Sequence, residues 1–206
     1  MRAHLINAFR LIVALAALAP LVWLGWAWQA GELGVMPSER IIHYLGRWGL
    51  GLLLATLCLG PAIALTGWPG FMAVRRQLGI WSFVYLSLHA LAWAGLDMVW
   101  DLEFILLELG DIRYLQLGLI SLALLVPLAL TSFKAAREFM GVSRWRWLHQ
   151  LAYVAATGGV GHYWMVVAEV QWPLTLATTV VAILVLNRII QALRSRHYRS
   201  RTNAGS

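Results

Sequence analysis

An apolar run of roughly 20 residues, rising 1.5 Å per residue, spans the ~30 Å hydrocarbon core of a bilayer, where every backbone polar group must be satisfied internally. This chain contains six such runs, at about residues 10–28, 46–67, 79–99, 114–133, 147–168 and 172–191. The pattern predicts an all-α fold: a polytopic bundle of six transmembrane helices forming one membrane domain over 1–206, with a basic cytoplasmic tail at 192–206. Charged residues make up only 12% of the 206, about half the share of a soluble domain. No segment reads as a soluble enzyme domain, and no GxGxxG or P-loop pattern supplies a nucleotide site.

The first run could be mistaken for a secretory signal, because Arg2 and Arg10 precede it. Its apolar stretch is long and continues through Trp23, Trp26 and Trp28 without a clean small-residue cleavage site, so a retained helix is expected. Several of the twelve tryptophans fall where runs begin or end, as interfacial belts require. With both termini placed in the cytoplasm, only Arg40, Arg47 and Arg113 of the sixteen basic residues lie outside, which is the positive-inside arrangement. The net charge of +7 is therefore read as membrane orientation and lipid contact, not as a nucleic-acid surface. The lone Cys58 excludes an intrachain disulfide and a Cys-rich cluster, and it reads as packing.

Three histidines lie inside these runs. His89 sits mid-way along the third, and His149 and His162 lie on the fifth. Polar groups at such depth are costly and mark functional sites. A single one would be read as an interhelical hydrogen bond or a proton relay, but three on two helices of the same direction favour haem iron. His89 is about 15 Å along its span and His162 about 22 Å along its own, so the two can clamp one haem in a saturated bis-histidine site suited to electron transfer. His149 lies near the inner boundary. On one ideal helix it would stand roughly 140° around from His162, an offset that Gly158, Gly159 and Gly161 could relieve by distorting the helix. His4, His43 and His197 read as surface residues.

Other features set the surroundings. Arg75 and Arg76 in an inner loop, and Arg144 and Arg146 before the fifth run, can act as topology determinants or as partners for a haem propionate or flavin phosphate. Pro61 and Pro127 interrupt the second and fourth runs, and Thr131 and Ser132 are placed to bond freed carbonyls. Residues 97–113 pattern as a short amphipathic helix on the outer face. A small proton-relaying transporter is the competing class, although no inverted repeat is visible.

Four blocks then carry a resemblance: LGRWGLGLLLATLCLGPA (45–62), RRQLGIWSFVYLSLHALAW (75–93), PLALTS (127–132) and WRWLHQLAYVAATGGVGHYW (145–164). Over about residues 40–168 the chain resembles the ferric-reductase-like transmembrane family, in particular the haem-binding membrane subunits of periplasmic methionine sulfoxide reductase systems. The resemblance implies b-type haem on His89 and His162, with His149 a candidate ligand toward the inner face. Relatives with two haems carry a further inner histidine on the third span. Arg75 and Arg76 occupy that region here, so one haem is implied and a second stays open. The resemblance also implies FMN, reduction by the quinone pool, and delivery of electrons to a periplasmic molybdenum-cofactor reductase that repairs oxidised methionine. The chain would then be an electron-transfer subunit of the inner membrane, not the catalytic one. A cytochrome anchor for another oxidoreductase would share these features.

Overall fold

The computed structural model of the chain describes residues 2–167, 169 and 171–204, and side chains from residue 4 to residue 193 except at 168 and 170. The side chains of Arg2, Arg194, Arg196, His197, Arg199 and Arg201 lie outside the described set. Among the described residues the secondary structure is helical, with no strand. In order the elements are α1 (Arg2–Gln29), α2 (Pro37–Thr66), α3 (Pro69–Ala92), a π-helical turn (Trp93–Asp97), α4 (Leu102–Asp111), α5 (Arg113–Leu130), α6 (Lys134–Met140), α7 (Val142–Leu148), α8 (Leu151–Val166) and α9 (Trp172–Ala204).

Five helical segments are long and apolar enough to cross a membrane: His4–Gln29, Pro37–Thr66, Pro69–Asp97, Arg113–Leu130 and Trp172–Leu193. The fifth predicted run differs. Its helix, α8, has 16 residues, about 24 Å, because the chain turns at His149 and Gln150 between α7 and α8. The third helix also starts about ten residues earlier than expected. Gly67 closes α2 in the left-handed conformation, its N–H bonding Ile63 O, and Pro69 opens α3 at its first turn, where a missing N–H costs nothing. Arg75 and Arg76 therefore sit within α3 and not in a loop. The last helix continues through the stretch expected to be a tail, to Ala204.

Prolines are accommodated inside helices. Pro20, Pro61 and Pro127 lie within α1, α2 and α5. Thr131 Oγ1 donates to Pro127 O at 2.6 Å and Ser132 Oγ to Leu128 O at 2.7 Å. These hydroxyls thus bond carbonyls in the last turn of α5, where Pro127 O also accepts from Thr131 N, not the carbonyl one turn before Pro127 that the proline ring frees.

Two helix pairs form the frame. The most extensive interfaces are α2 with α3 and α5 with α8. In the first, Ser82 Oγ donates to Gly49 O at 2.8 Å. In the second, Gly158 of α8 lies against Ser121 and Gly161 against Leu117, the small-residue contact on which membrane helices approach closely. Leu50, Leu53, Leu54 and Leu57 make a helical-period stripe on α2 that packs with Leu125, Leu128, Ala155, Val160 and residues of α9 in one buried cluster. A second cluster joins α1 to α2 and α3 around Tyr85, whose hydroxyl donates to Ala17 O at 2.7 Å. Outward faces such as Leu11, Ile12, Leu15 and Val22 of α1 stay exposed, as lipid-facing surfaces do. The expected amphipathic helix forms as α4, capped by Asp101, which accepts from the N–H groups of Glu103 and Phe104.

Candidate functional site

The two helix pairs enclose a cavity of about 670 Å³ whose walls include His89 and His162. The ring centroids of these histidines are 6.0 Å apart and their planes are inclined by 78°. Each ring is held in the same way. His89 Nδ1 bonds Ile42 O at 2.8 Å, and His162 Nδ1 bonds Tyr114 O at 2.8 Å. A carbonyl can only accept, so each Nδ1 carries the proton and each Nε2 keeps its lone pair. The bond is reachable because a glycine lies one turn along each partner helix. A Cβ on Gly46 would stand 3.0 Å from His89 Nδ1, and one on Gly118 would stand 2.9 Å from His162 Nδ1. The pair α2/α3 and the pair α5/α8 therefore repeat one device: a carbonyl, a glycine four residues on, and an imidazole from the neighbouring helix.

Leu50, Leu53, Leu86, Leu122 and Leu125 give the cavity an apolar middle, while Glu39, His43, Asp97 and Glu169 line it toward one end. His43 was expected at the surface. It is half-buried, lines this cavity, and its Nδ1 lies 3.9 Å from a Glu39 oxygen. Sequence reasoning also missed Gly46, Gly118, Tyr114 and Arg47 as site residues. Nothing local in the sequence sets either glycine apart from any other small residue of a membrane helix, because the helix that each one meets is decided by the tertiary fold.

His149 is placed elsewhere and does not line the cavity. It closes α7, its Nδ1 donates to Trp145 O at 3.1 Å, and its ring stacks on Trp145 with centroids 3.9 Å apart. Trp145 Nε1 in turn donates to Thr131 O at 2.9 Å, which ties this turn to the end of α5. Because the chain turns at His149–Gln150, the 140° offset expected along one continuous helix does not arise. Arg75 is half-buried. Arg76 is exposed, with its guanidinium 5.4 Å from the Phe133 ring centre. Arg144 is exposed on α7. The structure thus brings together His89 with His162, and sets His149 apart from them, stacked on Trp145.

Among the described residues no group of three or more His, Cys, Asp or Glu side chains is arranged to hold a metal ion. A bare zinc-type ion takes about four protein ligands. Two facing imidazoles instead suit a metal whose other positions are filled by a macrocycle.

Such a bundle, with two tethered imidazoles facing one internal cavity, is a helical membrane protein with a histidine-lined internal site. Consistent with this, residues 45–160 match the family described as "Ferric reductase like transmembrane component". His162 falls two residues beyond that match. The protein-methionine-sulfoxide reductase heme-binding subunit MsrQ of Rhodospirillum rubrum is 40% identical over 188 residues, covering 91% of this chain and 90% of the relative. Its counterpart in Caulobacter vibrioides is 36% identical, covering 89% and 88%, and that of Azospira oryzae is 33% identical, covering 92% and 82%. The chain belongs to the ferric-reductase-like transmembrane family and, within it, to the MsrQ family.

Proposed function

We propose that this chain is a b-type cytochrome of the bacterial inner membrane. It passes electrons from the quinone pool or reduced FMN to a periplasmic, MsrP-like molybdenum-cofactor reductase that repairs oxidised methionine residues. The observation that carries the reading is the facing of His89 and His162. A metal held by both Nε2 atoms at about 2.0–2.1 Å sets the ring centres roughly 6 Å apart, which matches the 6.0 Å found. The cavity volume of about 670 Å³ falls in the range of about 300–1,000 Å³ usual for cofactor sites.

His89 and His162 would hold the haem iron, which would supply reversible one-electron exchange. The remaining work belongs to the protein. Ile42 O and Tyr114 O fix the tautomer and orientation of the two ligands and raise their basicity. The leucine walls exclude water. His149 lies on the input side, where an imidazole can move the proton released by quinol, and Arg75 of α3 offers a guanidinium that can hold an anionic group of the donor. Arg76 and Arg144, both exposed, serve the same inner face. We count six crossings, with α8 as the fifth. It falls about 6 Å short of the ~30 Å core, a mismatch that local bilayer thinning accommodates.

The test is a reduced-minus-oxidised spectrum of the purified protein and of His89→Ala and His162→Ala variants. A sharp low-spin spectrum, lost in each variant, supports the assignment, and full haem with an unchanged spectrum in either variant refutes the pairing. Reduction of a purified molybdenum-cofactor partner by the quinol-reduced protein tests the direction of flow.

A further inference from the structure

Ten residues into α2, next to the glycine that packs on His89, Arg47 lines the same cavity as the two imidazoles. Its side chain is exposed. Its Nε donates to His43 O at 3.3 Å. The ion pairs found among the described residues are Glu39–His43 and Lys134–Glu138, so no carboxylate lies within ion-pair distance of the Arg47 guanidinium. Acidic residues also line the cavity, but none pairs with Arg47. Glu39 is eight residues back along α2, about 12 Å by helical rise, Asp97 closes the π turn eight residues past His89, and Glu169 lies beyond the end of α8.

A guanidinium does not deprotonate in proteins, and keeping one in a membrane-spanning helix is costly unless it is paired. An arginine with no carboxylate partner in the cavity wall, one residue from the glycine that meets the His89 ring, is a standing positive charge open to an anion. Imidazoles on two sides would leave a planar ring system free to rotate about the line between them. An anchored acidic edge removes that freedom.

We infer that Arg47 binds a carboxylate of the porphyrin held between His89 and His162, as a guanidinium–carboxylate pair, and so sets the rotational position of that group in the cavity. The inference rests on the haem reading above, and the experiment separates the two. Protein is made in haem-depleted cells, purified in detergent, and titrated with haemin or with haemin dimethyl ester, which keeps the ring system but loses the charge.

Wild type binds haemin about tenfold or more tighter than the diester, the scale of one charge-assisted hydrogen bond. Arg47→Gln brings that ratio close to one while leaving diester affinity unchanged, and Arg47→Lys keeps part of the preference. Arg40→Gln is the control, because the Arg40 side chain donates to Glu32 O at 3.4 Å and does not line the cavity; it keeps the full ratio. Wild type without discrimination, an Arg47→Gln variant that retains the ratio, or one that loses both ligands equally overturns the assignment. Failure of wild type to bind either form removes the haem reading itself, and this inference with it.

Discussion

Gly118 lies flush against the imidazole of His162, so that a methyl group added there would stand 2.9 Å from Nδ1. The ring would have to move off the Tyr114 carbonyl that holds it at 2.8 Å. Loss of an outer partner of a metal-binding histidine typically costs about 10–100-fold in metal affinity. Gly118→Ala is therefore expected to lower haem content and shift the low-spin spectrum, and Gly46→Ala to do the same through His89. Gly51→Ala, with nothing within 4 Å of the new methyl, serves as the control. Absorption spectra normalised to protein decide the matter: normal spectra for Gly46→Ala and Gly118→Ala would show that the carbonyl tether is dispensable.

His149→Ala should leave the His89/His162 spectrum near normal, because His149 does not line their cavity. Its reduction by a quinol analogue or by reduced FMN should slow. Stopped-flow rates with each donor separate the roles: a defect with only one donor assigns His149 to that donor. Wild-type rates with both would remove it from the input path and leave it as a packing partner of Trp145.

Reporter fusions after residue 206 and within the Gly67–Trp68 turn should read as cytoplasmic, and fusions in α4 as periplasmic. The expectation follows from the placement of Arg40, Arg47 and Arg113 against the other thirteen of sixteen basic residues. A periplasmic reading at the C-terminus would invert the proposed direction of electron flow.

Tyr85→Phe should weaken the attachment of α1. The Tyr85 side chain is fully buried and its hydroxyl donates to Ala17 O at 2.7 Å. Removing it costs about 1 kcal/mol, the usual net worth of such a bond. Thermal unfolding in detergent measures the loss, and the haem spectrum of the folded variant should not change. An unchanged unfolding temperature would mean that the aromatic packing around Tyr85, with Trp81 beside it, holds α1 without the hydroxyl.

Hydropathy and charge are written along the chain, so the sequence by itself determined the helical membrane class, the approximate helix positions and the polar residues that are costly at their depth. His89, His149 and His162 stood out for that reason, and the amphipathic α4 was legible from its alternation. Which helix faces meet is not a local property. The bonds from His89 to Ile42 and from His162 to Tyr114 join residues 47 and 48 positions apart. Only tertiary packing makes Gly46 and Gly118 the surfaces on which those rings rest. The turn at His149–Gln150 likewise depends on Trp145 reaching Thr131, a contact that no periodicity encodes. In the sequence His43 reads as a surface residue and Arg47 only as one of three basic residues on the outer side. Packing of α2 against α3, with α8 opposite, turned that stretch into a cavity wall, since a helix side that is polar at one end and glycine-lined in the middle can close around a ligand only when its neighbours supply the other walls.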